Sequence, residues 1–322
     1  MSRYLVTGSS GHLGEALVRT STDAGHDVTG IDVRAGEGTT VTGSIADSAL
    51  MNECLAGVDH VLHTATLHKP HVGSHSRPDF VDVNVTGTLT VLTAAARAGV
   101  KSVVFTSSTS TFGRAMTPVP GGPATWIDED VRPQVKNIYG ATKVAAEDLC
   151  ELAALDGLPV VVLKTSRFFP ERDDVQTDAH DTALKVAEFL YRRVDLEDVV
   201  NAHLIAATRA PQIGFGRYII SAPTPFVPGD LTDLADDARS VVRHRYPDLM
   251  ARFEEKGWPM PSTVDRVYDS RRAQADLGWN PRHDFVAVAE RALATGEWRS
   301  DLALRVGWKG YHDHPTGVYT GP

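Results

Sequence analysis

With 322 residues, 42% hydrophobic and 23% charged, the chain is long enough to bury a substantial core and is balanced like a soluble globular protein. A net charge of -9 and a pI near 5.8 exclude the basic footprint of a nucleic-acid binder and speak against docking on an anionic membrane. No apolar run reaches the length of a membrane span, and two cysteines, Cys54 and Cys150, exclude a disulfide framework.

The chain enters its first strand without the basic segment and apolar core of a signal peptide, so a cytoplasmic setting is expected. Both cysteines sit in helix-like contexts and are expected to pack in the core. Strands are expected at 3–7, 27–32, 59–63, 101–106 and 159–164, with helices at 12–24, 47–56, 79–98 and 137–155. That alternation predicts an α/β fold built on a doubly wound parallel sheet.

Between the first strand and the first helix lies Thr7-Gly8-Ser9-Ser10-Gly11-His12-Leu13-Gly14. Strand, glycine turn and helix in that order make a site for a diphosphate. Gly8 allows the tight turn, Gly11 lets the backbone approach the ligand, and Gly14 lets helix and strand pack closely. The free N–H groups and positive dipole end of the helix then face the anion. The spacing is G-x-x-G-x-x-G, not G-x-G-x-x-G. The second strand ends in an acid, Asp32, at about the ~20-residue separation of a dinucleotide site. A carboxylate there accepts hydrogen bonds from the adenine ribose and repels a 2′-phosphate, which favours NAD over NADP. Arg34 nearby softens that preference.

After Gly43, Ser44-Ile45-Ala46-Asp47 is placed under the adenine, with Asp47 either a helix N-cap or a ligand contact. His63-Thr64-Ala65-Thr66 ends the apolar strand after Val58–Leu62, where small residues admit a cofactor close to the backbone. The loop that follows carries His68, His71 and His75. No cysteine or carboxylate stands at ligand spacing with them, so the loop is assigned to solvent or to the substrate wall and no metal is expected. Asn84 and Gly87 fall inside an apolar-periodic helix, Phe80 to Ala98, where both cost stability. Asn84 either holds backbone near the site or is a tolerated surface residue; Gly87 permits close packing.

Chemistry is expected where Thr106-Ser107-Ser108-Thr109-Ser110 closes the strand Lys101–Phe105. Tyr139-Gly140-Ala141-Thr142-Lys143 then opens a long helix, and residues four apart share a helix face. An ammonium beside a phenol favours the phenolate, so Lys143 is expected to lower the pKa of Tyr139 and make it a general base near neutral pH.

These stretches together resemble the short-chain dehydrogenase/reductase superfamily, and more closely its extended branch, the NAD-dependent epimerase/dehydratase family with its nucleotide-sugar 4-epimerases. Asp269–Pro281, with Leu277-Gly278-Trp279-Asn280-Pro281, looks like that family's closing helix and turn. The resemblance covers residues 1–210 well and 262–285 recognisably. It implies a Rossmann-type sheet, NAD as cofactor and a small-molecule substrate, most naturally a sugar or nucleotide sugar, with a homodimer as the assembly. It makes Tyr139 the acid or base, Lys143 the nicotinamide-ribose contact and Ser108 the hydroxyl on the reacting oxygen, with Thr109 and Ser107 as fallbacks. Cofactor contacts carried over are Gly8, Ser10, Gly11, His12, Leu13 and Gly14 in the first turn. Asp32, Ser44, Ile45, Thr64, Ala65 and Thr66 follow, then Asn84, Thr106, Tyr139, Lys143 and Ser166. Ser108, Thr109 and Arg167 are the expected substrate contacts.

The substrate region departs from the family pattern. Arg167 stands where sugar-nucleotide enzymes often carry Asn, in Arg167-Phe168-Phe169-Pro170-Glu171. Trp258-Pro259 replaces an expected arginine, leaving Arg192, Arg193 and Arg266 as alternative cations for a phosphate or as surface residues. The Asp-Glu pair of dehydratases is replaced by Thr109-Ser110, which disfavours dehydration. The catalytic residues alone leave open an epimerase, a ketoreductase or dehydrogenase on a non-nucleotide small molecule, and a non-catalytic dinucleotide sensor. Residues 1–170, completed by 191–221, are expected to form the NAD-binding domain, with 171–190 and 222–322 as a smaller substrate lobe. Asp198 is expected to cap or brace a helix rather than touch ligand. Loops at 117–123 and 223–229 are expected to connect or cover. The aromatic tail from Trp308 to Pro315 is expected to pack on the body or on a second subunit.

Overall fold

The computed structural model describes residues 1–169 and 178–309. Seven parallel strands form the main sheet: β1 (Arg3–Thr7), β2 (Asp27–Asp32), β3 (Val41–Thr42), β4 (His60–His63), β5 (Ser102–Ser108), β7 (Val160–Thr165) and β8 (Phe215–Ile220). Their order is β3-β2-β1-β4-β5-β7-β8. Between them in sequence, β6 (Thr125–Ile127) pairs in parallel with the late strand β9 (Arg266–Tyr268) as a separate two-stranded sheet. A sheet covered on both faces needs strands that are largely apolar, and β7 is buried along its whole length, running Val160-Val161-Val162-Leu163 before it closes on Lys164-Thr165.

Successive strand residues feed opposite cores, as the pleat requires. Tyr4, Val6, Leu62, Val104 and Val161 join one cluster, with Leu13, Ala16 and Leu17 of the helix His12–Asp23 and Val199 to Ala210 of the helix Leu196–Ile213. Leu5, Val61, Val103, Phe105 and Val162 join the other, with Met51, Val91, Ala146 and Cys150. Each such aliphatic side chain contributes about 2 kcal/mol on burial. Cys150 is fully buried and Cys54 packs beside the same cluster, as expected.

A third cluster gathers Val186, Phe189, Leu234, Val242, Phe253, Trp258, Phe285 and Trp298 away from the sheet. Two stretches of 222–322 instead return to it. Ala273, Leu277, Trp279, Leu302, Ala303 and Val306 pack in the cluster beneath the first helix. Trp279 Nε1 donates to the Asp198 carbonyl at 3.0 Å, and the Asp198 carboxylate accepts from Arg282 N and His283 N at 2.8 and 2.9 Å. Asp198 thus braces the turn after the closing helix, and the cap of Leu196–Ile213 is Asp195. Residues 170–177 and 310–322, which include Glu171 and most of the expected aromatic tail, lie outside the described residues.

Three local features were not readable from periodicity. The two-residue edge strand β3 is too short to show a pattern. The parallel pairing of β6 with β9 joins segments far apart in sequence. The expected helix over 79–98 is divided: Arg77–Val81 runs into a π turn at Asp82–Thr86 before Gly87–Ala98. The wide turn carries Asn84.

The sheet order reverses between β1 and β4, and ligands of open α/β sheets bind outside the carboxyl ends of the strands at that point. Here the backbones approach closely. Gly8 has φ +72, and a Cβ on it would lie 2.7 Å from Ala65 N; a Cβ on Gly14 would lie 1.9 Å from Gly8 O. Only glycine fits either position.

Candidate active site

A cavity of about 850 Å³ opens along the carboxyl ends of the sheet. Its first part is the glycine turn, with Gly8, Ser10, Gly11, His12, Leu13 and Gly14 in the wall. Gly11 caps the helix His12–Asp23 without a side-chain hydrogen bond, so no side chain competes for the N–H groups at that end. Asp32 lies opposite. Its two carboxylate oxygens accept from Arg34 N at 2.9 Å and Ser10 N at 3.1 Å, which fixes the carboxylate at the end of β2. Ser44 and Ile45 line the same end. Asp47 does not: it caps the helix Ser48–Cys54, accepting from Ala49 N and Leu50 N.

Thr64, Ala65 and Thr66 form the floor after β4. Behind them His63 is fully buried. Thr88 Oγ1 donates to Asn84 O, so it accepts from His63 Nε2 at 3.0 Å; the other ring nitrogen, Nδ1, accepts from Thr7 Oγ1 at 2.7 Å. Burial lowers the His63 pKa to about 3, so the ring is neutral and serves as a fixed strut between β1, β4 and the helix Gly87–Ala98. Asn84 is also buried and stands behind the cavity wall. Its amide accepts from Leu67 N at 2.8 Å and Thr66 Oγ1 at 2.9 Å, and donates to Leu67 O and to Thr142 Oγ1. Of the two readings open for Asn84, the structure carries the holding one: it ties the floor to the helix bearing Tyr139. Gly87 packs against Ile45, which a Cβ would meet at 2.7 Å.

Thr106, Ser107, Ser108, Thr109 and Ser110 line the middle, facing Asn137 and Tyr139. Asn137 caps the helix Ile138–Leu155 through Gly140 N at 2.9 Å, which orients Tyr139 in the first turn. Ser108 hydrogen-bonds the Tyr139 hydroxyl. Ser108 is held in turn: its Oγ accepts from Ser110 N and its carbonyl from Thr111 Oγ1 at 2.8 Å. Lys143 is buried behind this wall, its Nζ donating to Thr106 O at 2.6 Å and lying 3.9 Å from the centre of the Phe105 ring.

The expected lowering of Tyr139 by Lys143 is not what this geometry gives. Burial pushes the Tyr139 pKa up to about 12, against the Ser108 hydrogen bond, and the charge of Glu147 pushes the same way. Burial also draws Lys143 down to about 7, with Glu147 opposing. Desolvation of the phenolate outweighs the neighbouring amine because that amine is itself desolvated and turned to a carbonyl.

Glu147 and Lys164 support the site from behind, and sequence reasoning missed them. Both are buried, paired at 2.6 Å, with Ser107 Oγ donating to Glu147 at 2.5 Å and Lys164 Nζ donating to Thr111 at 3.0 Å. They grip the serine strand end from behind. A lysine closing an otherwise apolar strand was the available signal.

The far end is cationic. A bridge between Arg167 and Arg193 brings two chain segments together, and Arg167, Arg192 and Arg193 converge on Glu188 at 3.0, 2.6 and 2.7 Å. Burial raises the Glu188 pKa, but the three guanidiniums overcome it and hold it at about 2. Three cations on one carboxylate leave a net positive wall. Arg167, Arg192 and Arg266 line the cavity together with Ser166, whereas Arg193 is fully buried. Trp258, at the expected arginine position, packs on Phe253 in the third cluster.

His68, His71 and His75 also line the cavity, their rings meeting edge to face with centroids 4.4 and 5.0 Å apart. Among the described residues, the ligand atoms that come together as a metal set would are those of Asp195, Glu197 and His283. There Arg291 donates to His283 Nδ1 at 3.1 Å, which puts the ring proton on Nε2 and takes that nitrogen out of metal ligation.

The family model described as "NAD dependent epimerase/dehydratase family" matches residues 4–219. The chain belongs to this family. The UDP-glucose 4-epimerase of Streptomyces lividans is 26% identical over 97% of this chain and 98% of its own length. The 3 beta-hydroxysteroid dehydrogenase/Delta 5-->4-isomerase of Mycobacterium tuberculosis strain H37Rv is 32% identical, covering 87% and 86%. Among solved structures, a short-chain dehydrogenase/reductase superfamily protein of Agrobacterium tumefaciens with bound NAD shares the fold, with a TM-score of 0.63 at 23% identity over 91% of this chain and 96% of that one. As a member of an NAD-dependent family the protein is an enzyme with NAD as its cofactor, and the cavity fits it: an uncapped helix end, a cradle that any Cβ would fill, and an acid at the end of β2. No helix is long and apolar enough to cross a membrane among the described residues.

Proposed function

We propose that the protein moves hydride between NAD and a hydroxyl or keto carbon of a sugar or nucleotide sugar, as an epimerase or oxidoreductase using Ser108, Tyr139 and Lys143. When bound, NAD supplies the ring that takes up and returns hydride. Gly8, Gly11, Gly14 and Asp32 hold it, and the parts of 171–190 and 222–322 that build the third cluster contribute the lobe that meets the substrate. A homodimer belongs to this reading through the family resemblance.

Ser108 Oγ binds the reacting oxygen. Tyr139 Oη passes a proton to that oxygen or takes one from it. With its pKa raised to about 12, the phenol rests protonated at neutral pH, the state that acts as acid on a keto oxygen. The oxidising direction requires that proton to pass to solvent first, so that Tyr139 Oη can take the substrate's hydroxyl proton as hydride leaves for NAD. Lys143, near 7, fixes the Thr106 carbonyl beside it and changes charge in the working range.

The observation that carries the nucleotide-sugar reading is the arginine wall around Glu188. Arg167, Arg192 and Arg266 sit at the end of the cavity away from Asp32, where a diphosphate substrate finds cations despite the loss of the family's usual arginine. A second reading, a dehydrogenase on a non-nucleotide alcohol, is favoured by Phe169, whose ring lies 6.4 Å from those of His12 and His68 and gives the same wall an apolar side.

The deciding experiment offers the NAD-loaded protein UDP-sugars and, separately, hydroxysteroids, and follows both NADH release and sugar interconversion. Interconversion of a UDP-sugar without net NADH is the expected result. Stoichiometric NADH release with a steroid alcohol, and no turnover of any UDP-sugar, overturns it in favour of the second reading.

A further inference from the structure

One contact at the dinucleotide end comes from the other end of the chain. The helix Asp301–Val306 packs on the helix His12–Asp23, with Leu302, Ala303 and Val306 in the same cluster as Leu13, Ala16 and Leu17. Beyond it Gly307, at φ 67 and ψ -168, turns the chain in a conformation open essentially to glycine alone. The turn delivers Lys309 to the cavity wall beside Gly11, His12 and Glu15.

His12 holds this segment at two points. Its Nε2 accepts the Lys309 N–H at 3.2 Å, and the ring donates to the Gly307 carbonyl, which leaves Nδ1 as the donor. One ring with one proton satisfies both only as the neutral Nδ1–H tautomer. The ring is 3% exposed. The Lys309 side chain meanwhile ion-pairs with Glu15, whose other partner is Arg19 at 2.8 Å.

Glu15 is an awkward neighbour for a diphosphate: a buried carboxylate in the wall of an anion site. Two cations offset it, Lys309 and Arg19, and Arg19 is shared with Glu37 of the same wall, so Lys309 is what keeps this corner from being net negative. Removing Lys309 withdraws a positive charge and at the same time bares a negative one.

We propose that Gly307–Lys309 is part of the cofactor site, a strap latched by His12 that places the Lys309 ammonium against the diphosphate end of NAD and slows its escape. Slow release suits an enzyme that keeps its cofactor through many turnovers. The inference rests on the dinucleotide reading of the cavity and is independent of which substrate the far end takes.

The test measures NADH affinity and dissociation directly, by its fluorescence on the purified full chain. Lys309→Met is expected to weaken binding about tenfold, as loss of a charge-assisted contact does, mainly through faster dissociation. It should also flatten the salt dependence of Kd. Lys309→Arg is expected to restore most of the affinity. His12→Phe keeps the ring and removes the latch, so it should raise the dissociation rate similarly, and the double variant should be little worse than either single one. Arg305→Ala, on the exposed side of the same helix, should match the wild type. Wild-type dissociation rates in both Lys309→Met and His12→Phe overturn the strap while leaving the NAD site standing. A wild-type chain that binds no NADH at all overturns the dinucleotide reading and the strap with it.

Discussion

At the dinucleotide end the wall is backbone, and at the arginine end it is side chains. Gly8 and Gly14 are required because carbonyls and amides of β1, β4 and the first helix come within reach of any Cβ. Arg167, Arg192 and Arg193 are placed instead by one shared carboxylate, Glu188, drawn from separate segments. A backbone cradle leaves a fixed spacing in the sequence. A side-chain cluster leaves no spacing and can be rebuilt residue by residue, which is how a cavity retains NAD while its substrate end drifts.

Between the two ends sit Ser108 and Tyr139, the proposed reacting pair, and the largest effect is expected there. Tyr139→Phe removes one oxygen from a ring that is otherwise packed as before. Turnover should fall by about 10³-fold, the usual contribution of a placed acid or base, with NADH affinity and melting temperature unchanged. Turnover near the wild-type value would remove Tyr139 from the chemistry and leave the two ends as a binding site only.

Breaking the side-chain end should cost stability. Glu188→Gln leaves three guanidiniums facing each other without a carboxylate, a loss of about 4 kcal/mol for an uncompensated buried charge. The pH dependence carries the sign. Glu188 is held at about 2, below its ordinary 4.5, so its contribution is present above pH 4.5 and is lost as pH falls toward 2. Wild-type protein should lose stability across that window in urea titrations, and the variant should show a flatter response there. An identical response in both would mean that the cluster does not hold this end together.

Breaking the backbone end should be comparable but beyond rescue by neighbours. Gly14→Ala drives a Cβ into the Gly8 carbonyl, and the expected cost is about 3 kcal/mol with loss of NADH binding. Stability and binding should fall together here, measured by thermal melts and fluorescence titration. In Glu188→Gln they should separate, with NADH affinity kept by whatever fraction stays folded.

The same contrast explains what the sequence made legible. Glycine spacing, an acid ending β2, a serine cluster ending β5 and Tyr139 four residues before Lys143 are local patterns, and each lies where the pattern implied. Lys143 lies behind the wall and Asn84 with it, because one-dimensional spacing gives a helix face and not a depth. The direction of the Tyr139 shift was misread for the same reason: the helix face put an amine near the phenol, but only the fold shows that both are desolvated. Glu147 acts through Lys164 and Ser107, 17 and 40 residues away, and Glu188 joins Arg167, 21 residues away, to its near neighbours Arg192 and Arg193. The lysine closing β7 and the Glu188–Arg192 spacing are local marks, but neither gives a place in the site. Lys309 lies 294 residues from Glu15, so its place in the cofactor wall was invisible until the chain was folded.

The smallest expected effect is also the one that reads the substrate. Arg192 lines the cavity but is not the keystone of its cluster, since Arg193 and Arg167 also hold Glu188. Its remaining exposure, 28% of the side chain, faces outward from that pair. Arg192→Ala should therefore leave folding and NADH binding close to wild type. If a diphosphate substrate reaches the guanidinium, KM for it should rise about tenfold with kcat little changed, the size of one hydrogen bond to a charged group. A neutral alcohol substrate should show no such rise. A KM that moves for neither would place the diphosphate elsewhere and detach the arginine wall from substrate binding, while the dinucleotide end would stand as described.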